Sequence, residues 1–102
     1  MRRMSPTQVA VLHAIADGIA YGFDVIDRTG LPSGTVYPAL SRLERDGYLR
    51  SSWESAPAAF AAGRPARRYY RVTAAGMRSL RESVEAYRAL LPLATARARS
   101  GS

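Results

Sequence analysis

Two segments of this chain constrain its fold more than any other feature, and they do so together. Residues 30–47, GLPSGTVYPALSRLERDG, place apolar side chains at Val36, Leu40 and Leu43, which predicts a helix with one buried stripe. Residues 63–73, GRPARRYYRVT, alternate in character and carry four arginines, which predicts one strand of a basic β-hairpin. A helix that fits a DNA major groove, followed by a basic hairpin, is the layout of a winged helix-turn-helix domain.

Length and charge narrow the kinds of partner that this chain could have. The chain has 102 residues and a net charge of +7, and all 15 of its basic residues are arginine. That length predicts a single domain. Between Glu54 and Glu82 there are six arginines and no acid. A block of one sign is typical of a surface that meets a polyanion, although it also occurs on ordinary solvated faces.

The chain offers little for catalysis or metal binding. It has no cysteine and one histidine, His13, and its acids are scattered. We therefore expect no disulfide and no thiolate metal site, and we expect neither an enzyme nor a cofactor. The N-terminus lacks the apolar core of a signal peptide, and no apolar run approaches the roughly 20 residues of a membrane span. The expectation is a cytoplasmic protein without a membrane partner.

Local signals predict two short helices ahead of the first segment. Ser5, Pro6 and Gln8 together are typical of a capped helix start, because serine and glutamine form a capping box and proline suits the first helical position. A second helix is expected over residues 21–28, with Phe23 among its inward side chains. Two helices joined by a short glycine-containing turn fit helix-turn-helix spacing.

The third helix carries most of the predicted DNA contacts. A proline in a helix interior costs about 3 kcal/mol, so Pro38 should lie near the first turn, which favours Thr35 as the N-cap. Hydroxyls and a tyrosine lie at the N-terminal end of this helix, the end that usually meets base edges, and arginine suits guanine or phosphate. The predicted contacts are Ser33, Thr35, Tyr37, Pro38, Ser41 and Arg42. An ordinary amphipathic surface helix is the alternative interpretation.

The hairpin is predicted from alternation over residues 48–54 and 68–72, joined by small residues over 55–66. We expect the joining segment to be mobile, and Phe60 within it has no assigned role. The predicted DNA contacts of the hairpin are Arg64, Arg67 and Arg68. Aromatic side chains between the arginines also suggest a stacking platform for single-stranded nucleic acid, but strand alternation explains at least one tyrosine as core.

A fourth helix, from residue 74 to about 91, has a long apolar stripe. The stripe is longer than a small core should need, which predicts a dimerisation helix over residues 74–92 beside a DNA-binding domain over 1–73. The predicted interface residues are Leu80, Val84, Tyr87 and Leu91. Completion of the monomer core is the alternative. Residues 93–102 are expected to form a disordered tail.

Three stretches give the chain a family resemblance: LHAIADGIAYGF at residues 12–23, SGTVYPALSRLERDGYL at 33–49, and GRPARRYYRVTAAG at 63–76. With these motifs the chain resembles the PadR family of bacterial transcriptional regulators over roughly residues 5–90. The resemblance implies a winged helix with a C-terminal dimer helix. It also implies a regulator that is most often a repressor, and some members release DNA when a small aromatic or drug-like ligand binds at the dimer region.

By the same resemblance, DNA contacts fall to Ser33, Thr35, Tyr37 and the hairpin arginines. The segment before Ser33 is shorter than usual in the family, and a single C-terminal helix resembles the short subfamily, which limits the room for a ligand. The prediction is a homodimeric, sequence-specific repressor that binds double-stranded DNA, with a small aromatic effector as a further partner. The alternative is a winged-helix module that binds a protein or RNA.

Overall fold

The described part of the chain is mainly helical, with one β-hairpin. A computed structural model describes residues 4–90. In chain order its elements are α1 (Pro6–Ala16), α2 (Gly22–Thr29), α3 (Ser33–Arg45), β1 (Leu49–Trp53), α4 (Ala56–Ala61), β2 (Arg68–Val72) and α5 (Ala74–Arg88). The first three helices pack on one another, the hairpin follows α3, and α5 returns to pack on α1. The predicted winged helix-turn-helix fold is confirmed.

α1 begins where the sequence predicts and lies at the centre of the packing. The Ser5 hydroxyl accepts a hydrogen bond from the Gln8 N–H at 3.2 Å, and the Gln8 side chain accepts one from the Ser5 N–H at 3.0 Å. This reciprocal pair satisfies two donors that a helix start leaves free. Because α2, α3, α5 and β2 all contact α1, the helix buries a broad face. Its buried side chains are Val11, Leu12, Ala14 and Ile15.

A short turn over residues 30–32 joins α2 to α3. Gly30 ends α2 in the left-handed region, at φ 71°, which larger residues rarely adopt. The Thr29 hydroxyl donates to the Val25 carbonyl at 2.7 Å and accepts from the Leu31 N–H at 3.3 Å. The turn is therefore held by hydrogen bonds from its own residues.

α3 begins earlier than predicted. Pro32 is the N-cap, and its carbonyl accepts a hydrogen bond from the Thr35 N–H at 2.9 Å. The prediction that Thr35 caps this helix is therefore wrong. Pro38 lies inside the helix, where its missing N–H deprives only the Gly34 carbonyl of a helical partner. Gly34 is exposed, so water can satisfy that carbonyl, and the proline is tolerated one turn further in than expected.

The hairpin strands pair antiparallel, with Leu49 opposite Val72. Leu49 is buried, and Tyr70 and Val72 pack against the same core, as the alternation predicts. On the other edge of β2, the Tyr70 N–H donates to the Ala20 carbonyl at 2.8 Å. The segment between α1 and α2 therefore adds a bridge to the sheet and ties the hairpin to the helices.

The segment between the strands contains a helix rather than the predicted mobile loop. The Ser55 hydroxyl accepts a hydrogen bond from the Ala58 N–H at 3.2 Å and so caps α4. Pro57 lies in the first turn of α4, where it costs no hydrogen bond. Ala59 is buried, which anchors the helix, whereas the Phe60 side chain is 88% exposed. The small residues of this segment suggested a loop, although Ser55 caps a helix there.

α5 completes the core. The Thr73 hydroxyl caps it by accepting from the Gly76 N–H at 3.0 Å. Gly76 is buried against the Tyr48 carbonyl with no room for a side chain. Leu80 is buried and Val84 packs beside it on the core. The first half of the α5 stripe therefore belongs to the monomer.

Tyr87, in the second half of the α5 stripe, also contacts another part of the same chain. The Tyr87 hydroxyl donates to the Met4 carbonyl at 2.8 Å, next to the start of α1. Leu80 and Val84 are therefore part of the monomer core rather than surplus to it, whereas Tyr87 is half-buried and its place in a dimer interface stays a prediction. Leu91 lies outside the described residues, as do the last residues of the 74–92 segment and the predicted tail at 93–102.

Candidate nucleic-acid interface

The outer face of α3 is open to a partner along its first three turns. Ser33, Pro38, Ser41 and Arg42 are exposed, and Thr35 is half-buried. The N-cap offers no side-chain hydrogen bond, so the first N–H groups of α3 keep free hydrogen-bonding capacity. Such a helix start attracts phosphate, because its free donors and the helix dipole both favour negative charge.

The opposite face of α3 is buried in the hydrophobic core. Val36, Leu40 and Leu43 have no measurable exposure. The helix is therefore held rigidly by one side while the other carries hydroxyls and a guanidinium. Arg42 has no ion-pair partner among residues 4–90.

Tyr37 lies between the open face of α3 and the start of α2. Its side chain is 40% exposed, and its ring packs directly on Gly22. The Phe23 ring meets the Tyr37 ring edge-on, with centroids 6.4 Å apart. Phe23 itself is 59% exposed, so the expectation that it faces inward is wrong. The helix turns the ring toward Tyr37 and away from the core that Val25 fills.

Four rings form a row from α3 to the hairpin, which we call the aromatic row. Tyr37 contacts Phe23, Phe23 lies 5.6 Å from Tyr21, and Tyr21 lies 6.1 Å from Tyr69 of β2, measured between ring centroids. Tilted and edge-on arrangements of this kind are favourable beyond the area they bury. The row joins the outer end of α3 to the base of the hairpin by side-chain contact.

Arg67 joins the hairpin end of the aromatic row. Its guanidinium carbon lies 4.4 Å from the centre of the Tyr21 ring, a cation–π contact. Its Nε is buried without a hydrogen-bond partner. Arg67 forms no salt bridge among the described residues, although its charge is close enough to Glu54 to contribute to lowering the pKa of that carboxyl.

Arg68 is held by the end of α3. Its Nη2 donates to a Glu44 carboxylate oxygen at 3.0 Å, and its Nε donates to the Ser51 hydroxyl at 3.0 Å. The Ser51 hydroxyl in turn donates to the other oxygen of Glu44. The Arg68 guanidinium also lies 5.7 Å from the ring centres of Trp53 and Tyr70. This network fixes β1 and β2 to α3 and satisfies the charge of Arg68 internally.

Arg64 is paired across the base of the α4 segment. Its two terminal nitrogens donate to the two carboxylate oxygens of Glu54, one of them at 3.0 Å. Both side chains are largely buried, with 27% of Arg64 and 14% of Glu54 exposed. The hydrogen bond from Arg64 lowers the pKa of Glu54, against the opposing effect of burial, and raises the pKa of Arg64. This bidentate ion pair joins the two ends of the segment that contains α4.

The structure therefore divides the predicted site residues into two groups. Tyr37 begins the aromatic row beside the open face of α3, and Arg67 stacks on Tyr21 within the row. Arg64 and Arg68, by contrast, are paired with acids from elsewhere in the chain. The expectation of an arginine block free of acids fails in three dimensions, because Glu44 and Glu54 lie outside that block in sequence but beside it in space.

Two further arginines lie where the sequence argument assigned no contact. Arg50 and Arg71 are directly opposite each other in the hairpin and are both exposed. Among residues 4–90 neither has an ion pair. Like charges directly opposite across two strands are destabilising. Strand alternation places both on the outward face, so the pairing register was the missing signal.

Residues 11–82 match the family described as the Transcriptional regulator PadR-like family. That match covers more than half of the chain, so the chain belongs to the PadR-like family. It is a transcriptional regulator by family. No curated protein matches the chain. None of the helices within residues 4–90 has the length and apolar character needed to cross a membrane.

Solved structures share this fold. A PadR family regulator from Clostridium difficile is 19% identical, with a TM-score of 0.76 over 87% of this chain and 94% of that one. A PadR family regulator from Eggerthella lenta is 28% identical, with a TM-score of 0.63 over 90% and 82%. Bordetella bronchiseptica BpsR, whose DNA binding is regulated by 6-hydroxynicotinic acid, is 23% identical, with a TM-score of 0.63 over 96% and 64%.

Proposed function

We propose that this protein binds double-stranded DNA sequence-specifically through the outer face of α3 and represses transcription as a homodimer. The observation that carries the proposal is the asymmetry of α3. Its inner stripe is fully buried, while its outer face presents free N–H groups at the start, hydroxyls, and the Arg42 guanidinium in the third turn. A helix held this way can enter a major groove without disturbing the core. Duplex DNA as the partner implies a cytoplasmic protein.

Within this proposal the predicted contacts differ in role. Ser33, Thr35 and Tyr37 meet base edges or nearby phosphates, and Pro38 and Ser41 lie along the same face. Arg42 and Arg67 supply charge to phosphates, since neither forms a salt bridge among the described residues. Arg64 and Arg68 hold the hairpin in shape. Their contribution to DNA binding is the geometry of the hairpin rather than direct charge.

Fluorescence anisotropy with a labelled duplex tests the proposal, with RNA of matched sequence as the control. We expect duplex affinity to fall steeply with salt, because phosphate contacts release counterions, and we expect the RNA to bind more weakly. Equal or tighter binding of RNA would favour the alternative winged-helix interaction module. Footprinting on the promoter of the protein's own gene, followed by transcription in vitro, tests repression.

The homodimer is supported by the family resemblance and by a surface that the monomer leaves uncovered. An open, mainly apolar groove of about 450 Å³ runs between α1, the end of α2 and α5, and is lined by Val9, Ala10 and Tyr87 among others. Leu90, just past α5, is 51% exposed. Sedimentation equilibrium at micromolar concentration tests the dimer. A monomer that still binds its operator with full affinity would contradict it.

The same groove supports the proposal of a small aromatic effector. Its volume lies within the range of small-molecule sites, and His13 and Arg28 add polar groups to an apolar lining. The experiment is competition: aromatic carboxylates are added to the DNA complex, and Ala10→Glu obstructs the groove and serves as the control once sedimentation and DNA binding show that it matches the wild type without ligand. Release of DNA from the wild type but not from Ala10→Glu would support an effector. No release by any aromatic acid would argue against one.

A further inference from the structure

The backbone conformation at position 22 does not require a glycine. It opens α2 and is not among the positive-φ glycines of the described residues, which are Gly18, Gly30, Gly47 and Gly63. Glycine is a poor helix former, so a helix start without a special φ would normally carry another residue. The reason for Gly22 must therefore lie in what surrounds it.

The Tyr37 ring occupies the space that a side chain at position 22 would need. A Cβ built on Gly22 would lie 2.9 Å from Tyr37 Cε1 and 3.2 Å from the Tyr37 hydroxyl oxygen. Carbon atoms do not approach so closely, so any side chain at this position displaces the ring. By contrast, a Cβ on Gly34, in the first turn of α3, would meet nothing within 4 Å.

Phe23 bounds the same ring from a second direction. Its ring lies edge-on to Tyr37 with centroids 6.4 Å apart, and Tyr21 supports Phe23 in turn at 5.6 Å. Tyr37 is therefore confined between a helix start that lies flat against it and an aromatic edge, with 40% of its surface left open. A confined ring that remains partly exposed is oriented before any partner arrives.

We propose that Gly22 and Phe23 are positioning residues that set the direction of Tyr37, and that this direction determines how well the protein distinguishes its operator from other DNA. This inference rests on the proposed function of α3. Hydrogen bonds to base edges require donor–acceptor distances within a few tenths of an ångström, so a displaced ring loses discrimination. Attraction to phosphates along the duplex, being less directional, is largely kept.

The test is a double-mutant cycle on operator preference, defined as the ratio of Kd for random duplex to Kd for an operator selected with the wild type. We expect Gly22→Ala to lower this ratio about tenfold and Phe23→Ala to lower it about threefold, with random-duplex affinity nearly unchanged. In a Tyr37→Ala background both substitutions should lose their effect, because the ring they position is gone.

A structural role alone predicts a different result. If Gly22→Ala and Phe23→Ala act through the stability of α2, their effects persist in the Tyr37→Ala background, and the inference is overturned. Phe23→Ala keeps the cycle decisive if Gly22→Ala unfolds the protein, since Phe23 is mostly exposed. Gly34→Ala is the matched control in thermal unfolding alone, because it adds the same methyl group to open space but lies in the proposed DNA-binding face.

A failure of the proposed function would give a different result from a failure of the positioning role alone. If the wild type selects no operator and does not bind duplex DNA, the proposed function fails before any variant is compared. If the wild type prefers an operator and the substitutions remain additive with Tyr37→Ala, the function stands and only the positioning role is lost.

Discussion

The first turns of α3 and the tip of the hairpin are both polar surfaces, but they differ in whether their groups already have partners. At α3, the helix N–H groups and Arg42 have no ion pair or cap within residues 4–90. At the hairpin, Arg64 forms a salt bridge with Glu54, and Arg68 forms one with Glu44. Arg64 and Arg68 are therefore less available to a new anion than Arg42, or than Arg67 beside them.

The two surfaces differ because Arg64 and Arg68 lie beside acidic side chains, whereas Arg42 has no ion pair among residues 4–90. A guanidinium that makes two hydrogen bonds to a carboxylate must lose them before it can bind phosphate, and partly buried pairs are screened little by salt. An exposed arginine exchanges only water. Counting charges along the sequence therefore overstates what Arg64 and Arg68 contribute to DNA binding, because each already pairs with an acid.

The largest expected effect comes from removing the aromatic side chain of α3. Tyr37→Ala should cost about 1–3 kcal/mol of preference for the operator, because one base-edge contact is lost, while binding to random DNA changes less. Competition binding with operator and random duplexes measures the preference. If the variant loses thermal stability and all binding together, then Tyr37 serves to pack α2, and the contrast between the two surfaces loses its main support.

The next effect concerns the order of the hairpin tip. The pKa of Glu54 is lowered by its hydrogen bond from Arg64, so the pair stabilises the tip above the ordinary glutamate pKa of about 4.3. This stability should be lost only as pH falls through the lowered pKa of the folded state. Trp53, the single tryptophan of the chain, is adjacent and reports the change by fluorescence.

Glu54→Gln is the control for that titration. It cannot form the charged pair, so its fluorescence at neutral pH should resemble that of the acid form, without a transition. The amides of α4 should also exchange faster in this variant. If the wild type and Glu54→Gln have the same fluorescence at neutral pH, the pair does not order the tip, and the proposed structural role of Arg64 is wrong.

A smaller effect separates two neighbours on the hairpin. Arg67→Ala should lower the salt slope of duplex binding by about 0.9, the value for one lost phosphate contact, and Arg68→Ala should leave the slope nearly unchanged. The reason is that Arg68 forms a salt bridge with Glu44, whereas the Arg67 guanidinium stacks on Tyr21 and forms no salt bridge among the described residues. Equal slope changes in the two variants would mean that the pair with Glu44 opens on DNA.

The smallest effect tests the outward face of the hairpin. Arg50→Glu replaces a like-charge pair with an attractive one opposite Arg71, which should stabilise the fold by about 0.2–1 kcal/mol. Thermal unfolding measures the gain. If this face touches DNA, operator affinity falls even as stability rises. If stability does not rise, Arg50 and Arg71 avoid each other in solution.

The sequence predicted those features that depend on neighbouring residues. The capping box of Ser5 and Gln8, the buried stripe of α3 and the range of β2 all follow from local spacing, and all are confirmed. Local signals also misled in two places. The proline rule moved the start of α3 toward Thr35, and small residues concealed the cap of α4 at Ser55.

The remaining errors depend on contacts between distant parts of the chain. No spacing rule indicates that Arg68 meets Glu44, that Phe23 turns toward Tyr37, or that the first half of the α5 stripe lies on the monomer core. Each of these follows from which elements pack together. They decide which arginines are free, so the family was recognisable from sequence whereas the division of its basic residues was not.

The most direct test compares one arginine from each surface. Duplex affinity is measured against salt for the wild type, Arg42→Ala and Arg64→Ala, which remove one charge each. The account predicts that Arg42→Ala lowers the slope of log K against log salt by about 0.9 and that Arg64→Ala leaves it unchanged. A slope lowered by Arg64→Ala and unaffected by Arg42→Ala would contradict the assignment of the binding surface to α3.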